Sequence, residues 1–262
     1  MQNSEPQQTI APDSSESSAT DTTPKTTTLD FEYRTLASQW SSISPKIQEA
    51  LWCQDPLVPP LVNSLYWMWN RTKTRDDQDP NHPYKPFPVR DYLKALHRLW
   101  ITEPFLFVEK SRTMLLSWWA AAETLHFGMT RQPTSTVYWA QDEDRAVALL
   151  NYAKTLYGQQ DATFKAIFPL TRPLEQQGYK SLELKDGAVF HALPGKDPDK
   201  IRSLHPSQLV IDEACFIENG GEAFDVAISS RVPRVLVISS AAPSWFRRIT
   251  KPAVAIPLEP YL

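Results

Sequence analysis

The chain has 262 residues, with 27 Lys plus Arg against 30 Asp plus Glu and a formal net charge of −3. That length holds one sizeable α/β domain with appendages, and the acidic balance excludes a whole-chain nucleic-acid footprint, so any basic surface must be local. The cysteines Cys53 and Cys215 form neither a metal pattern nor a disulfide framework, no apolar run reaches membrane-spanning length, and no basic-then-apolar leader opens the chain, so a reducing, membrane-free compartment is expected.

Residues 1–28 are Ser, Thr, Gln and Pro with almost no bulky apolar side chains, a composition that predicts a disordered tail. Residues 29–100 read as a helical lead-in, with apolar spacing through Leu36, Trp40, Ile43, Ile47 and Leu51 and again through Val89, Leu93, Leu96, Leu99 and Trp100. Between them, Leu65-Tyr66-Trp67-Met68-Trp69 is either a binding surface or a packing face, and packing is favoured because aromatics carry much core area. The polar, Pro-rich stretch 71–88 reads as a loop.

From 101 to 250 the pattern alternates. Strands are predicted at 104–109, 136–140, 209–211 and 235–238, with helices over Ser117 to about Phe127, from Asp142 through Leu156, and from Glu222 to Ser230. Leu182 to Phe190 reads as a hairpin turning on Asp186-Gly187. Near-continuous apolar strands alternating with helices predict an α/β fold with a mostly parallel central sheet covered on both faces. Residues 251–262 form a C-terminal tail.

The chemistry concentrates at two strand ends. The first strand runs into Lys110-Ser111-Arg112-Thr113-Met114-Leu115-Leu116-Ser117, at the place where a phosphate loop joins a strand to a helix. The usual loop, G-x-x-x-x-G-K-[ST], cradles phosphates with backbone N–H groups, neutralises them with its Lys and binds magnesium with its hydroxyl. With Ser117 aligned on the hydroxyl, Lys110 takes the first position, Leu115 replaces the second glycine and Leu116 replaces the lysine. The loop is short, so the Lys110 ammonium remains within reach of the β- and γ-phosphates, and Arg112 adds a second cation. If Leu115 adopts a left-handed backbone it costs about 1–2 kcal/mol. Ser117 would open a helix whose N-terminal amides favour an anion. An ordinary strand–turn–helix with two exposed cations is the alternative.

The second strand end is Leu209-Val210-Ile211-Asp212-Glu213. Two adjacent acids there suit a nucleotide-hydrolysing site, with Asp212 holding Mg²⁺ and Glu213 polarising the attacking water. A solvated loop start is the alternative.

In this order and spacing the motifs resemble the ATPase domain of the large terminase subunit, the motor that packages DNA into tailed bacteriophage capsids. The resemblance rests on Lys110-Ser111-Arg112 through Ser117-Trp118, on Val137-Tyr138-Trp139-Ala140-Gln141-Asp142, on Ala192-Leu193-Pro194-Gly195 with Ile201-Arg202-Ser203, and on Val237-Ile238-Ser239-Ser240-Ala241-Ala242-Pro243. It covers roughly residues 80–250 and implies a P-loop NTPase fold of the ASCE type over 101–250. By resemblance, residues 110–117 cradle ATP, with Lys110 and Arg112 on the phosphates; Ser117 and Asp212 hold magnesium, Glu213 is the catalytic carboxylate, and Ser239 and Ser240 couple γ-phosphate loss to movement. Arg202 would reach a phosphate in its own site or a neighbouring subunit's, or would form a plain surface salt bridge. Tyr84, Lys85 and Phe87 offer stacking and polar groups for adenine, or simply pack.

The resemblance further implies Mg²⁺-dependent ATP hydrolysis driving double-stranded DNA into a capsid, a portal protein and a small terminase subunit as partners, a homo-oligomeric ring, and the host cytoplasm. With about 20 residues after the last motif, the family's nuclease domain has no room, so no DNA cutting is expected. Arg231, Arg234, Arg247, Arg248 and Lys251 concentrate positive charge that would serve phosphate contacts with DNA, or a solvated basic face. A catalytically weak or inactive module acting in binding or assembly is the alternative to the motor, because Leu115 and Leu116 replace Gly and Lys. A helicase-like ATPase ranks behind both.

Overall fold

The computed structural model describes Pro45 and residues 61–250, apart from 77–78, 112–113, 132, 197 and 219. The predicted tails at 1–28 and 251–262, and the lead-in helix through Leu36, Trp40, Ile43, Ile47 and Leu51, lie outside the described residues.

The apolar runs become the strands of one sheet. In chain order the described elements are α1 (Ser64–Arg71), β1 (Lys73–Arg75), β2 (Tyr84–Pro86), α2 (Asp91–Thr102), β3 (Phe105–Lys110), α3 (Leu116–Thr130), β4 (Ser135–Ala140), α4 (Glu143–Gly158), α5 (Ala162–Ile167), β5 (Ser181–Glu183), β6 (Val189–Pro194), α6 (Asp199–Leu204), β7 (Gln208–Asp212), α7 (Gly220–Ser229), β8 (Arg234–Ser240) and α8 (Trp245–Thr250). The six-stranded sheet has the order β3-β8-β7-β4-β6-β5. Every pairing is parallel except β5 with β6, the hairpin expected from Asp186-Gly187; Gly187 takes φ +91° there, which a side chain would resist.

Alternate residues of each strand enter opposite cores. Leu106, Val108, Tyr138, Ala140, Val210, Leu236 and Ile238 pack with α3, α4 and the lead-in helices. Val137, Trp139, Leu209, Ile211, Val235 and Val237 pack with α7, Ile201, Trp245 and Phe246. Burial on both faces is why these strands read as continuous apolar runs rather than as alternation. Each fully buried large apolar side chain, such as Trp119 or Trp139, contributes about 1.5–3 kcal/mol.

Leu65, Trp67 and Met68 are buried, so the aromatic cluster is a packing face, with Tyr66 turned outward. The lead-in is also tied to the core by a buried polar cluster. Ser64 Oγ donates to Glu123 Oε2 at 2.7 Å, His97 Nδ1 lies 2.8 Å from Glu123 Oε1, and Trp119 Nε1 donates to the same oxygen at 3.1 Å. Burial alone would push the Glu123 carboxyl up, but the charge and hydrogen bond of His97 and the hydrogen bond of Ser64 outweigh it and hold the group below its ordinary range.

Two expectations are corrected. The stretch 71–88 is not merely a loop: β1 and β2 pair as an antiparallel ribbon, with Lys73 opposite Pro86 and Arg75 opposite Tyr84. Runs of three residues are too short to show a period, and the Pro content masked them. Arg234 does not belong to an exposed basic face. Its guanidinium lies over the rings of Trp100 and Phe127 at 5.3 and 5.4 Å and donates to the carbonyls of Trp100 and Ile101, closing the C-terminus of α2.

Candidate active site

The sheet order sets the site. β3 pairs with β8 and β8 with β7, so the C-terminal ends of these three strands, Lys110, Ser240 and Asp212, open side by side. Parallel α/β sheets bind ligands at that edge. A cleft of about 520 Å³ opens there, lined by Lys110, Ser117, Asp212, Glu213 and Ser240, and closed on the α4 side by Arg145, Leu149 and Tyr152.

The loop after β3 turns into α3 through Leu115, whose backbone is left-handed at φ 54°, ψ 18°. Its carbonyl accepts the first bond of the helix, from Trp119 N at 2.9 Å. Tyr92 Oη donates to Met114 O at 2.9 Å, so the lead-in helix α2 braces the loop. Ser117 follows in the first turn of α3 and donates to Asp212 Oδ2 at 2.7 Å. Arg112 and Thr113 lie outside the described residues. Ser111 is exposed, while Leu116 sends its side chain into the core, leaving only its backbone to the loop.

Lys110 Nζ lies 2.8 Å from Glu213 Oε1. Glu213 is itself left-handed, at φ 51°, ψ 44°, and its other oxygen accepts from Ser240 Oγ at 3.3 Å. Two left-handed non-glycine residues, Leu115 and Glu213, thus occupy the turns that follow β3 and β7, a pattern that persists only where surrounding packing enforces it. Burial pushes the Asp212 carboxyl up, against the Ser117 hydrogen bond and the Lys110 charge. Burial also opposes ionisation of Glu213, but the hydrogen bond and charge of Lys110 prevail and hold it below its ordinary range.

The remaining candidates are placed differently. Ser239 is fully buried, and its Oγ accepts from Cys215 N at 2.8 Å, bracing the turn after Glu213. Arg202 is not among the cleft-lining residues; on α6 it pairs with Asp199 at 3.2 Å and is half exposed. Phe87 is buried in the core, and Lys85 pairs with Asp76 and Asp79, so neither lines this cleft, and Tyr84 opens onto a different groove. The cleft instead contains Arg145, which donates to Gln141 Oε1 at 2.8 Å, with Tyr152 stacked on Trp118 at 4.3 Å. Gln141 and Trp118 belonged to motifs quoted from the sequence but were given no role in the site, and Arg145 and Tyr152 escaped the sequence reading, although Arg145 follows shortly after the C-terminal end of β4, where the same sheet rule applies.

The donor set suits magnesium. Asp212 and Ser117 present two hard oxygens 2.7 Å apart, and Mg²⁺ is usually held by one or two carboxylates, with phosphate and water oxygens completing its shell. Among the described residues no group of three or more His, Cys, Asp or Glu could hold a metal by itself.

No protein-family model and no curated protein matches the chain. Among solved structures it is similar to the HK97 bacteriophage large terminase, at 15% identity and a TM-score of 0.52 over 67% of this chain. The match spans 36% of that protein's length. It is also similar to the ATPase domain of the Thermus phage P74-26 large terminase, at 19% identity, TM-score 0.44, and 68% and 74% coverage of the two chains. A mutant of that domain matches at 17% identity, TM-score 0.48, and 71% and 78% coverage. The six-stranded, mostly parallel sheet of this chain, flanked by helices on both faces, thus shares its fold with the matched part of the HK97 large terminase.

Proposed function

We propose that this chain is the ATP-hydrolysing motor domain of a phage terminase large subunit, with residues 101–250 as its P-loop ATPase core, coupling hydrolysis to translocation of double-stranded DNA into a capsid. The observation that carries the reading is the meeting, in one cleft, of a lysine from the end of β3, a hydroxyl from the start of α3 and two acids from the end of β7. The fold shared with the HK97 terminase supports it.

Lys110 neutralises the terminal phosphates, and the amides opening α3 add a favourable dipole. Ser117 and Asp212 are the magnesium ligands. Glu213 takes the proton of the attacking water through a carboxylate oxygen. Bound magnesium–ATP supplies the transferable phosphoryl group and the metal charge that offsets its developing negative charge. Ser240, joined to Glu213, is placed to register loss of the γ-phosphate, and Ser239 positions the turn behind it. Arg145 supplies a guanidinium to the phosphates within the chain, while Arg202 remains for contact with a neighbouring subunit in a ring. Duplex DNA, a portal protein and a small subunit are the partners this reading requires. Among the described residues no helix is long and apolar enough to cross a membrane.

Glu213→Gln tests the assignment. Turnover of magnesium–ATP should vanish while calorimetric binding persists. Unchanged hydrolysis would overturn the catalytic role, and absence of nucleotide binding by the parent protein would favour a non-catalytic assembly module.

A further inference from the structure

The first turn of α3 carries the Ser117 hydroxyl, yet its own sequence anchors it poorly. Leu115 stands at the N-cap position with a left-handed backbone, and no side chain caps the helix there. The first N–H groups of a helix have no intrahelical partner, and a Ser, Thr, Asp or Asn at the N-cap usually ties one of them down. The next helix differs: Asp142 caps α4 by accepting from Arg145 N at 2.9 Å.

Tertiary contacts supply what the cap does not. Leu116 is buried in the main core. The buried Trp118 stacks on Tyr152 of α4, with ring centroids 4.3 Å apart and 27° between the planes. Successive helical residues project about 100° apart, so these two side chains leave the turn on either side of Ser117. Holding both sides stops the turn from rotating about the helix axis, and Ser117 Oγ meets Asp212 Oδ2 at 2.7 Å. Tyr152 is itself well seated. Arg145, Ala148, Leu149 and Tyr152 share one face of α4 and line the cleft, and Tyr152 packs half-buried against the core cluster that contains Leu149.

We propose that Tyr152 is a positioning residue for the magnesium site, orienting the Ser117 hydroxyl through its stack on Trp118. The inference rests on the motor reading for the assignment of Ser117 and Asp212 to the metal. Mg²⁺ tolerates little error, because it demands near-ideal octahedral geometry with oxygens at about 2.0–2.1 Å. A small rotation of an uncapped turn is enough to misplace one ligand. The flat ring of Tyr152 resists that rotation, whereas a branched or flexible side chain of similar apolar character leaves Trp118 free to tilt.

The test is calorimetry of the whole chain with the non-hydrolysable imido analogue of ATP, once in excess Mg²⁺ and once in EDTA. The ratio of the two affinities measures how far the metal tightens the nucleotide. Tyr152→Leu should reduce that ratio roughly fivefold while leaving the EDTA affinity within about twofold of the parent's. Tyr152→Phe keeps the ring and should restore the ratio. In a Ser117→Ala background the ratio is already low, and adding Tyr152→Leu should change it by less than about twofold, because the hydroxyl that Tyr152 orients is gone. Tyr152→Met, flexible and without a ring, gives the same readings if the leucine variant is unstable. A full ratio in Tyr152→Leu, an equal loss of affinity in EDTA, or effects of Ser117→Ala and Tyr152→Leu that simply multiply each overturns this proposal alone. A parent whose affinity ignores magnesium defeats the metal assignment of the motor reading, and this proposal with it.

Discussion

Lys110 Nζ sits 2.8 Å from Glu213 Oε1, so the cation assigned to the phosphates and the acid assigned to the water hold each other. On the proposed reading, nucleotide has to draw the ammonium away before Glu213 is free to accept a proton, so the ion pair would restrain the base until a triphosphate arrives, and the two residues should separate energetically on mutation. Glu213→Gln weakens the competitor for Lys110, so ATP affinity should be equal to or tighter than the parent's while turnover is lost. Lys110→Met should weaken ATP by roughly ten- to hundredfold, the loss of a charge-assisted bond worth about 1.5–3 kcal/mol, and should lower kcat by about 10²–10³. Calorimetry and steady-state phosphate release measure both.

Leu115 carries a second prediction. Its left-handed backbone costs about 1–2 kcal/mol, and its side chain packs partly against the main core. Leu115→Gly loses that packing but relieves the backbone. Leu115→Val keeps most of the apolar surface but places a β-branched residue at φ 54°, where it is a strong outlier. Thermal melts should rank the valine variant below the glycine variant, contrary to a hydrophobicity scale.

The buried Glu123 should appear in the pH dependence of stability. Its folded value is depressed below the ordinary 4.5, so the stabilisation is fully present above the unfolded value and is lost as pH falls through the lower folded value. Glu123→Gln removes the negative charge and replaces one of the two oxygens that meet Ser64, His97 and Trp119 with an NH₂ donor, and breaking such a buried pair costs about 3–5 kcal/mol at neutral pH. The deficit relative to the parent should shrink as the melts are taken into acid. A deficit independent of pH would show that the carboxylate charge contributes nothing.

Gly220 opens α7 against the indole of Trp245, and a Cβ there would come within 2.2 Å of Trp245 Nε1. That nitrogen donates to Ala214 O at 2.8 Å, in the turn directly after Glu213. Gly220→Ala should therefore destabilise the fold by about 1–3 kcal/mol and also lower kcat, because the displaced indole releases the turn that carries the base. Denaturant melts and steady-state rates would reveal both effects.

Local pattern was enough for the α/β class, the parallel strands, the Asp186-Gly187 hairpin and the strain latent in the turn between β3 and α3, where Leu115 stands at a left-handed position. These features follow from which side chains leave water and which backbone angles a residue tolerates, and both are written into short stretches of chain. Strand order was not legible there. Nothing between Phe105 and Ser240 announces that β3 pairs with β8, yet that pairing brings Lys110 to Glu213 and Ser117 to Asp212. Charged residues misled for the same reason. Arg234 read as surface and donates to carbonyls of the last turn of α2, while Glu123 and His97 drew no notice and anchor the lead-in. A charge is tolerated inside only when a partner distant in sequence neutralises it, and folding alone decides which distant residues become neighbours.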